Sequence, residues 1–225
     1  MTAKGLVRAA LLAAAAVLLS GQTRVRADWD TVVAETDLGH RVGNPDAKVK
    51  LVEFFSYTCP HCGEFFKEAD GVLKTGGVQP GKTSIEIRHV IRDPVDMTAV
   101  ALVNCGDPKK FWGNHDMFFA RQDKWTTAWQ LTLPSQRQRW QNGTVTARMQ
   151  AIAGDLGFYE MMETRGYTRA QLNQCLADTK KLQSIADASA ASAKKYGVEG
   201  TPSFVLNGKL LEHVHDWAGL QKAMK

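Results

Sequence analysis

Two cysteines three positions apart form the clearest chemical motif of the sequence, residues 59–62, with the order Cys-Pro-His-Cys. An apolar run over 51–55 precedes the motif and predicts a buried strand, and a stretch with mostly helical spacing, 63–73, follows it. Two thiols at the start of a helix can close a small disulfide ring. The unpaired N–H groups of the first turn and the helix dipole also favour a thiolate there. The motif therefore predicts a redox-active dithiol.

The four residues of the motif have different expected roles. Cys59 is expected as the N-cap and as the exposed, low-pKa attacking thiol, and Pro60 as the first helical residue, where a missing N–H costs nothing. Cys62 lies one turn further in and is expected as the shielded, resolving thiol. We expect His61 to donate toward the Cys59 sulfur, which would stabilise the thiolate and make the disulfide a strong oxidant. The alternative for His61 is a solvent-exposed spacer.

Glu53 is a carboxylate in the middle of the apolar run that precedes the motif. Burial without a partner would be costly and would raise its pKa. We interpret Glu53 as a proton acceptor for the buried thiol of Cys62. The alternative is an acid on an exposed face of the strand.

A metal site is the main chemical alternative to a dithiol, because Cys-x-x-Cys is also half of many zinc sites. Such a site needs two further ligands at close spacing. Cys105 and Cys175 fall on separate predicted helices, and His213 and His215 have no cysteine pair nearby. The sequence therefore predicts neither a metal nor any cofactor besides the dithiol itself. A purely structural disulfide is disfavoured too, since so small a ring constrains little of the unfolded chain.

The first 27 residues predict an export signal. A positively charged start is followed by an apolar run, 9–19, which is shorter than the roughly 20 residues that span a bilayer, and then by small residues around a cleavage point at 25–27. The segment carries four of the five net positive charges, so nucleic-acid binding is not expected. The mature chain is expected to begin near Asp28 in an oxidising compartment. An uncleaved membrane anchor is the alternative.

The rest of the chain divides into three blocks. A central strand up to Phe55, the helix after the dithiol and a strand over 85–91 form a βαβ unit with a parallel pair. From there to Tyr196 only helices are predicted, over 99–104, 109–121, 145–156, 169–177 and 180–196. Strands return over 203–206 and 209–214 around an Asn-Gly hairpin signal, and a helix over 217–224 ends the chain. The predicted domains are 28–95, 96–196 and 197–225.

Four cysteines remain after cleavage and allow three pairings. The spacing favours a local pair of Cys59 with Cys62 and a long-range pair of Cys105 with Cys175. In an exported protein we expect the second pair to be a structural disulfide. It would stabilise the fold by roughly 4 kcal/mol on the chain-entropy estimate. Two buried free thiols are the alternative.

Two segments carry a family resemblance. Residues 52–62 resemble the active-site strand of the DsbA family of thioredoxin-fold oxidoreductases, and 197–204 resemble its cis-proline loop. The resemblance implies a thioredoxin fold, an α/β class of βαβ and ββα halves with an inserted all-helical subdomain. It implies that Pro202 is cis and packs against the dithiol, and that the Thr201 backbone pairs with a bound peptide. It also implies that Glu53 is the buried acid.

The resemblance implies an activity as well. The protein would be a periplasmic thiol:disulfide oxidase that donates the Cys59–Cys62 disulfide to unfolded exported polypeptides with free cysteines, through a mixed disulfide. A DsbB-type quinone-linked membrane protein would reoxidise it. Thr201 before the proline also resembles the isomerase relatives, so an isomerase or reductase is the alternative enzyme, and a peptide-binding chaperone is the non-catalytic alternative. The isomerases carry an N-terminal dimerisation domain, for which 28–48 is too short, so we expect a monomer.

Overall fold

A computed structural model describes residues 28–225, so the predicted export signal, 1–27, lies outside the described residues. The described strands form one six-stranded sheet in the order β1-β2-β4-β3-β5-β6. Their bounds are β1 Val33–Glu35, β2 His40–Gly43, β3 Val49–Phe55, β4 Thr83–His89, β5 Ser203–Leu206 and β6 Lys209–Leu210.

Strand β3 lies in the middle of the sheet, parallel to β4 and antiparallel to β5. Leu51, Phe54 and Phe55 are each at most 1 % exposed. A strand that is covered on both faces has a continuous apolar run rather than an alternating one. The prediction of a central strand in a βαβ unit is therefore confirmed.

The α-helices of the described chain cover this sheet. Their bounds are α1 Pro60–Leu73, α2 Pro94–Val103, α3 Phe111–Ala120, α4 Gln122–Gln130, α5 Pro134–Gln141, α6 Val145–Asp155, α7 Phe158–Glu163, α8 Arg169–Ala177, α9 Thr179–Tyr196 and α10 Trp217–Ala223. Helix α1 connects β3 to β4, and α2 to α9 lie between β4 and β5. This order agrees with helices inserted between two halves of an α/β sheet. The domain boundaries 28–95, 96–196 and 197–225 stay predictions.

Four helices differ from the expectation. α4, α5 and α7 were not predicted, because their buried residues are few or the helix is short. α5 buries only Trp140 and α7 has six residues, so neither presents a long apolar stripe. α2 begins at Pro94 rather than near residue 99. The side chain of Asp93 accepts from the N–H groups of Val95 and Asp96, which is a helix N-cap followed by proline at the first helical position.

The prediction of the final hairpin is confirmed for its turn and wrong for the length of its second strand. Asn207 and Gly208 have φ values of 49° and 85°, as the two central residues of a type I′ turn require. β6 ends at Leu210, although the sequence predicted a strand to residue 214. His213 has a φ of 60°, and a left-handed residue ends the extended chain. The Asp216 side chain caps α10 as predicted, because it accepts from the Gly219 N–H at 2.7 Å.

The helical segment contains the predicted long-range disulfide, between Cys105 and Cys175. It joins the end of α2 to α8 across a sequence separation of 70. The two Cα atoms are 5.6 Å apart, an ordinary separation for a disulfide. Within residues 28–225, no helix is both long and apolar enough to cross a bilayer.

Candidate active site

The dithiol lies where the central strand passes into α1. Cys59 is the residue before the helix, with extended backbone at φ −83° and ψ 118°, and Pro60 is the first helical residue. Both cysteines are free thiols. Cys62 is fully buried, as predicted, but Cys59 is only 2 % exposed. The expectation of an exposed Cys59 is therefore wrong, and the reason is the loop around Thr201, whose carbonyl lies 3.2 Å from the sulfur.

The electrostatics of Cys59 favour its thiolate. A hydrogen bond from the Cys62 thiol is the main cause that lowers the pKa of Cys59 to about 5, against the opposing effect of burial. The Thr201 side chain and the backbone N–H groups of Cys62 and His61 lower this pKa further. At neutral pH Cys59 is then ionised, so the reduced form of the pair is stabilised.

The pKa of Cys62 is shifted in the opposite direction from that of Cys59. Burial raises the pKa of Cys62 well above its ordinary value, and the neighbouring Cys59 raises it further. The two sulfurs thus differ in protonation, one as thiolate and one as thiol. The division into a reactive and a resolving cysteine that the sequence predicted is consistent with these opposite pKa shifts.

The His61 imidazole does not point at the dithiol. Its Nδ1 lies 3.1 Å from Oε2 of Glu64, and the side chain is 73 % exposed. The contact of His61 with Cys59 is made by the backbone N–H instead. The expectation that the imidazole donates to the sulfur is therefore wrong, because the first turn of α1 directs this side chain outward, as in the exposed-spacer alternative.

Glu53 is buried on β3, with 7 % exposure, opposite Ile87 on one neighbouring strand and Phe204 on the other. Burial, with a smaller contribution from the charge of Asp70, raises the pKa of Glu53 to about 8. The charge of Glu53 in turn contributes to the raised pKa of Cys62. The buried position agrees with the expectation, and the exchange of a proton with Cys62 stays a prediction.

The loop that faces the dithiol contains a cis peptide bond between Thr201 and Pro202, as the resemblance implied. Pro202 is buried, and its carbonyl accepts a hydrogen bond from Nδ1 of His215 at 2.8 Å. The carbonyl oxygen of Thr201 lies 3.2 Å from the Cys59 sulfur. The loop therefore packs against the dithiol, while the pairing of Thr201 with a bound peptide stays a prediction.

Residues 35–225 match the family model described as thioredoxin. The chain belongs to the thioredoxin family. Within this family, the crystal structure of a protein-disulfide isomerase from Novosphingobium aromaticivorans is 44 % identical in sequence, with a TM-score of 0.78. The match covers 82 % of this chain and 94 % of that one. The predicted thioredoxin fold with a helical insertion is confirmed.

Further relatives of this thioredoxin-family chain carry related names. The crystal structure of Wolbachia pipientis alpha-DsbA1 has the same fold at 23 % identity, covers 76 % of this chain and 74 % of its own, and has a TM-score of 0.56. A protein of Rickettsia bellii with the provisional name protein-disulfide oxidoreductase is 28 % identical over 173 residues, which are 76 % of this chain and 58 % of that protein. The chain thus spans a little over half the length of the Rickettsia relatives it matches. The thioredoxin family that the resemblance implied is confirmed, and the likeness to alpha-DsbA1 shows a shared fold.

The loop that leads into the motif is held by two aspartates that were not among the predicted site residues. The fully buried Asp96 carboxylate accepts from the Ser56 hydroxyl at 2.6 Å and from the Tyr57 N–H at 2.9 Å. Asp93 accepts from the Thr58 hydroxyl at 2.7 Å. The only local signal was the sequence Asp93-Pro94, which is typical of a helix N-terminus. The first turn of α2 therefore positions the thioredoxin-family active-site loop.

A glutamine holds the same loop from the other side. Gln122, the first residue of α4, is 4 % exposed. Its Nε2 donates to the carbonyl of Tyr57 at 2.7 Å and to that of Cys59 at 2.8 Å. No sequence signal pointed to Gln122, because it stands in a polar helix that periodicity did not predict.

An open cleft of about 550 Å³ lies beside the dithiol. It reaches from Thr58 and Pro60 to Trp129, and its rim includes the charged residues Lys67 and Arg137. Among the residues that the structure describes, no group of three or more histidine, cysteine or carboxylate side chains is arranged to hold a metal ion.

Proposed function

We propose that this protein is a thiol:disulfide oxidase that passes the Cys59–Cys62 disulfide to folding exported polypeptides. The observation that carries the proposal is that the pKa values of the two thiols are shifted in opposite directions. The pKa of Cys59 is lowered to about 5, while that of Cys62 is raised well above its ordinary value. A low-pKa thiolate is both a good leaving group and a stable product.

In the proposed reaction a client thiolate attacks the Cys59 sulfur of the oxidised protein. The bond between Cys59 and Cys62 breaks, a mixed disulfide of the client with Cys59 forms, and Cys62 leaves as a thiolate that takes up a proton. A second client thiolate then attacks the client sulfur of the mixed disulfide and releases the Cys59 thiolate. Two electrons pass from the client, which gains a disulfide, to the dithiol of the protein.

Glu53 is the proposed proton partner of Cys62. A carboxyl with a pKa of about 8 carries a proton at neutral pH and can give it to the departing Cys62 thiolate. In the reverse direction, when the dithiol is reoxidised, Glu53 accepts the proton, in the role expected from its place in the apolar run. A buried acid is suited to this transfer because both groups are removed from bulk water.

Return to the oxidised state requires an electron acceptor. We propose a DsbB-type quinone-linked membrane protein in this role, together with a periplasmic location and a monomeric state. These proposals rest on the resemblance to DsbA. Copurification of the reduced protein with such a membrane partner, and its reoxidation by that partner plus quinone, test them. Failure of every quinone-linked partner to reoxidise the dithiol would contradict the proposal.

An isomerase is the second candidate, because the relative from Novosphingobium with 44 % identity bears that name. The two activities are separated by assaying reduced and scrambled ribonuclease side by side. An oxidase forms disulfides in the reduced substrate faster than it reactivates the scrambled one, and the opposite order favours the isomerase. If Cys59→Ala leaves client folding unchanged, the protein is a chaperone instead.

The reduction potential of the dithiol decides the direction of electron flow. For an oxidase we expect a value above the roughly −180 to −210 mV of an oxidising secretory compartment. Equilibration of the protein with defined glutathione buffers, read out by alkylation of free thiols, gives this value. A potential near about −270 mV, as in reducing thioredoxins, would contradict the oxidase.

A further inference from the structure

We propose that Gln122 is a positioning residue that sets the orientation of Cys59 relative to the first turn of α1, and that position 63 is glycine in order to admit the Gln122 side chain. The effect of this positioning on redox chemistry rests on the proposed function. The inference is drawn from the two hydrogen bonds of Gln122, the burial of the groups involved and the space around Gly63.

The two carbonyls that Gln122 binds flank the point where the strand loop becomes a helix. Tyr57 is fully buried and Cys59 is 2 % exposed, so their carbonyl oxygens are largely removed from water and need protein donors. The Cys59 carbonyl also accepts the first helical hydrogen bond, from the Gly63 N–H at 3.3 Å. One amide nitrogen thus ties α4 to both sides of the N-cap.

The position of the Cys59 carbonyl controls the geometry of the thiolate. Because Pro60 has a fixed φ, rotation about ψ of Cys59 is the main freedom left between the sulfur and the helix. That rotation moves the carbonyl oxygen and, with it, the placement of the sulfur relative to the N–H groups of His61 and Cys62, which stabilise the thiolate. A donor that holds the carbonyl therefore holds the sulfur over the helix N-terminus.

Gln122 is itself fixed by its helix. Trp125, one turn further on, is 2 % exposed, and its Nε1 donates to the carbonyl of Phe118 at 3.0 Å. The Thr126 hydroxyl donates to the carbonyl of Gln122 at 2.7 Å. The amide therefore approaches the dithiol from an anchored element rather than from a mobile side chain on the surface.

Gly63 leaves the space that the amide occupies. A Cβ atom at this position would lie 2.7 Å from Cδ of Gln122 and closer still to its Oε1. The Gln122 side chain would have to move away, and both of its hydrogen bonds would then be lost. Gly71, on the same helix, has no atom within 4 Å of the corresponding Cβ, so the two glycines form a matched pair for a test.

The test compares Gln122→Met, which keeps side-chain length without a donor, with Gln130→Met on the exposed part of the same helix. Thiolate absorbance against pH gives the Cys59 pKa, and glutathione equilibration gives the reduction potential. We expect Gln122→Met to raise the Cys59 pKa by about one unit, because the sulfur then lies less well over the N–H groups of α1. One unit is at the low end of what a hydrogen bond from an N–H group to the charged thiolate contributes. The potential shifts to a more negative value, and Gln130→Met changes neither quantity.

Gly63→Ala provides the second arm. It is expected to raise the Cys59 pKa in the same direction, whereas Gly71→Ala leaves it unchanged. In a Gln122→Ala background, Gly63→Ala has no further effect, since the methyl group then displaces nothing. Additive effects of the two substitutions would contradict the link between positions 63 and 122.

The proposal is overturned if folded Gln122→Met keeps the wild-type pKa and potential. If that variant does not fold, Gly63→Ala decides alone, and an unchanged pKa in it overturns the proposal as well. Both readouts concern the protein's own thiols, so they stay informative if no client is oxidised. Failure of the oxidase function and failure of this inference are therefore distinguishable.

Discussion

The Cys59 sulfur lies 3.2 Å from the Thr201 carbonyl oxygen, across 142 positions of the sequence, and donates a hydrogen bond to it when the thiol is protonated. The side chain of Thr201 also acts on Cys59, because it lowers the Cys59 pKa. The carbonyl stabilises the protonated thiol, whereas a hydroxyl donor stabilises the thiolate. Thr201 is thus both the cover over Cys59 and one of the groups that tune its ionisation.

The threonine hydroxyl can be removed without changing the backbone. We expect Thr201→Val to raise the Cys59 pKa, because a donor to the thiolate is lost while the carbonyl stays. The effect should be smaller than that of Cys62→Ala, since the Cys62 thiol makes the largest contribution. Thiolate absorbance against pH measures both variants, and Thr201→Ser, which keeps a hydroxyl, serves as the control. A larger shift in Thr201→Val than in Cys62→Ala would contradict this order.

The relative stability of the reduced and oxidised forms should depend on pH. The pKa of Cys59 is about 5 in the folded dithiol form and about 8.5 for an unperturbed cysteine. Between these values the unfolded reduced chain binds more protons than the folded one, so the contribution to stability grows as the pH rises and is lost as it falls through about 5.

Denaturant unfolding of both redox forms from about pH 5 to 9 tests this dependence. We expect the reduced form to gain stability over the oxidised form as the pH rises from about 5 to about 8.5; above that, the raised pKa of Cys62 acts in the opposite direction. Taking the difference between the two forms cancels most of the contribution of groups remote from the dithiol. Cys59→Ser, which cannot form the disulfide, should show the pH dependence of the oxidised wild-type form over this interval. A flat difference in the wild-type protein would rule out the lowered pKa.

Glu53 should destabilise the folded protein at high pH. Its pKa is raised from 4.5 to about 8 by burial, so the folded state binds more protons than the unfolded state between these values. Stability therefore falls as the pH rises through that interval. Above pH 8, the free energy of unfolding of Glu53→Gln is expected to be a few kcal/mol higher than that of the wild type.

The matched control for this substitution is Glu68→Gln on the exposed side of α1. It should leave the pH dependence unchanged. Denaturant titrations of the oxidised forms, at pH 5 and above pH 8, supply the comparison. If the stability of Glu53→Gln relative to the wild type is the same at pH 5 and above pH 8, Glu53 does not titrate in this range. The same variant should also slow client oxidation if Glu53 exchanges a proton with Cys62.

The Cys105–Cys175 disulfide should contribute to stability and not to redox chemistry. The double substitution Cys105→Ser and Cys175→Ser is expected to lower the free energy of unfolding by about 4 kcal/mol, because a long loop of the unfolded chain is no longer closed. Urea unfolding measures the change. The reduction potential of Cys59 and Cys62 should stay at the wild-type value, and a clear shift would assign the second disulfide a functional role.

Local sequence was sufficient wherever neighbouring residues decide the structure. The type I′ turn at Asn207-Gly208 follows from the residues that tolerate positive φ, and the strand before the dithiol follows from its continuous apolar run. The N-cap Asp216 was found for the same reason. The helix α5 was missed because it buries a single residue, Trp140, and leaves no periodic signal. The end of β6 was missed because one left-handed residue, His213, cannot be recognised from its type.

The sequence by itself determined the dithiol, the central strand, the following helix and the family, because these depend on residue types at short spacing. The tertiary structure alone decided the surroundings of Cys59. It covered the sulfur with Thr201 and brought Gln122 to the Cys59 carbonyl from 63 positions away. Such contacts join residues that are far apart in sequence, so only the packing of the helices on the sheet sets them.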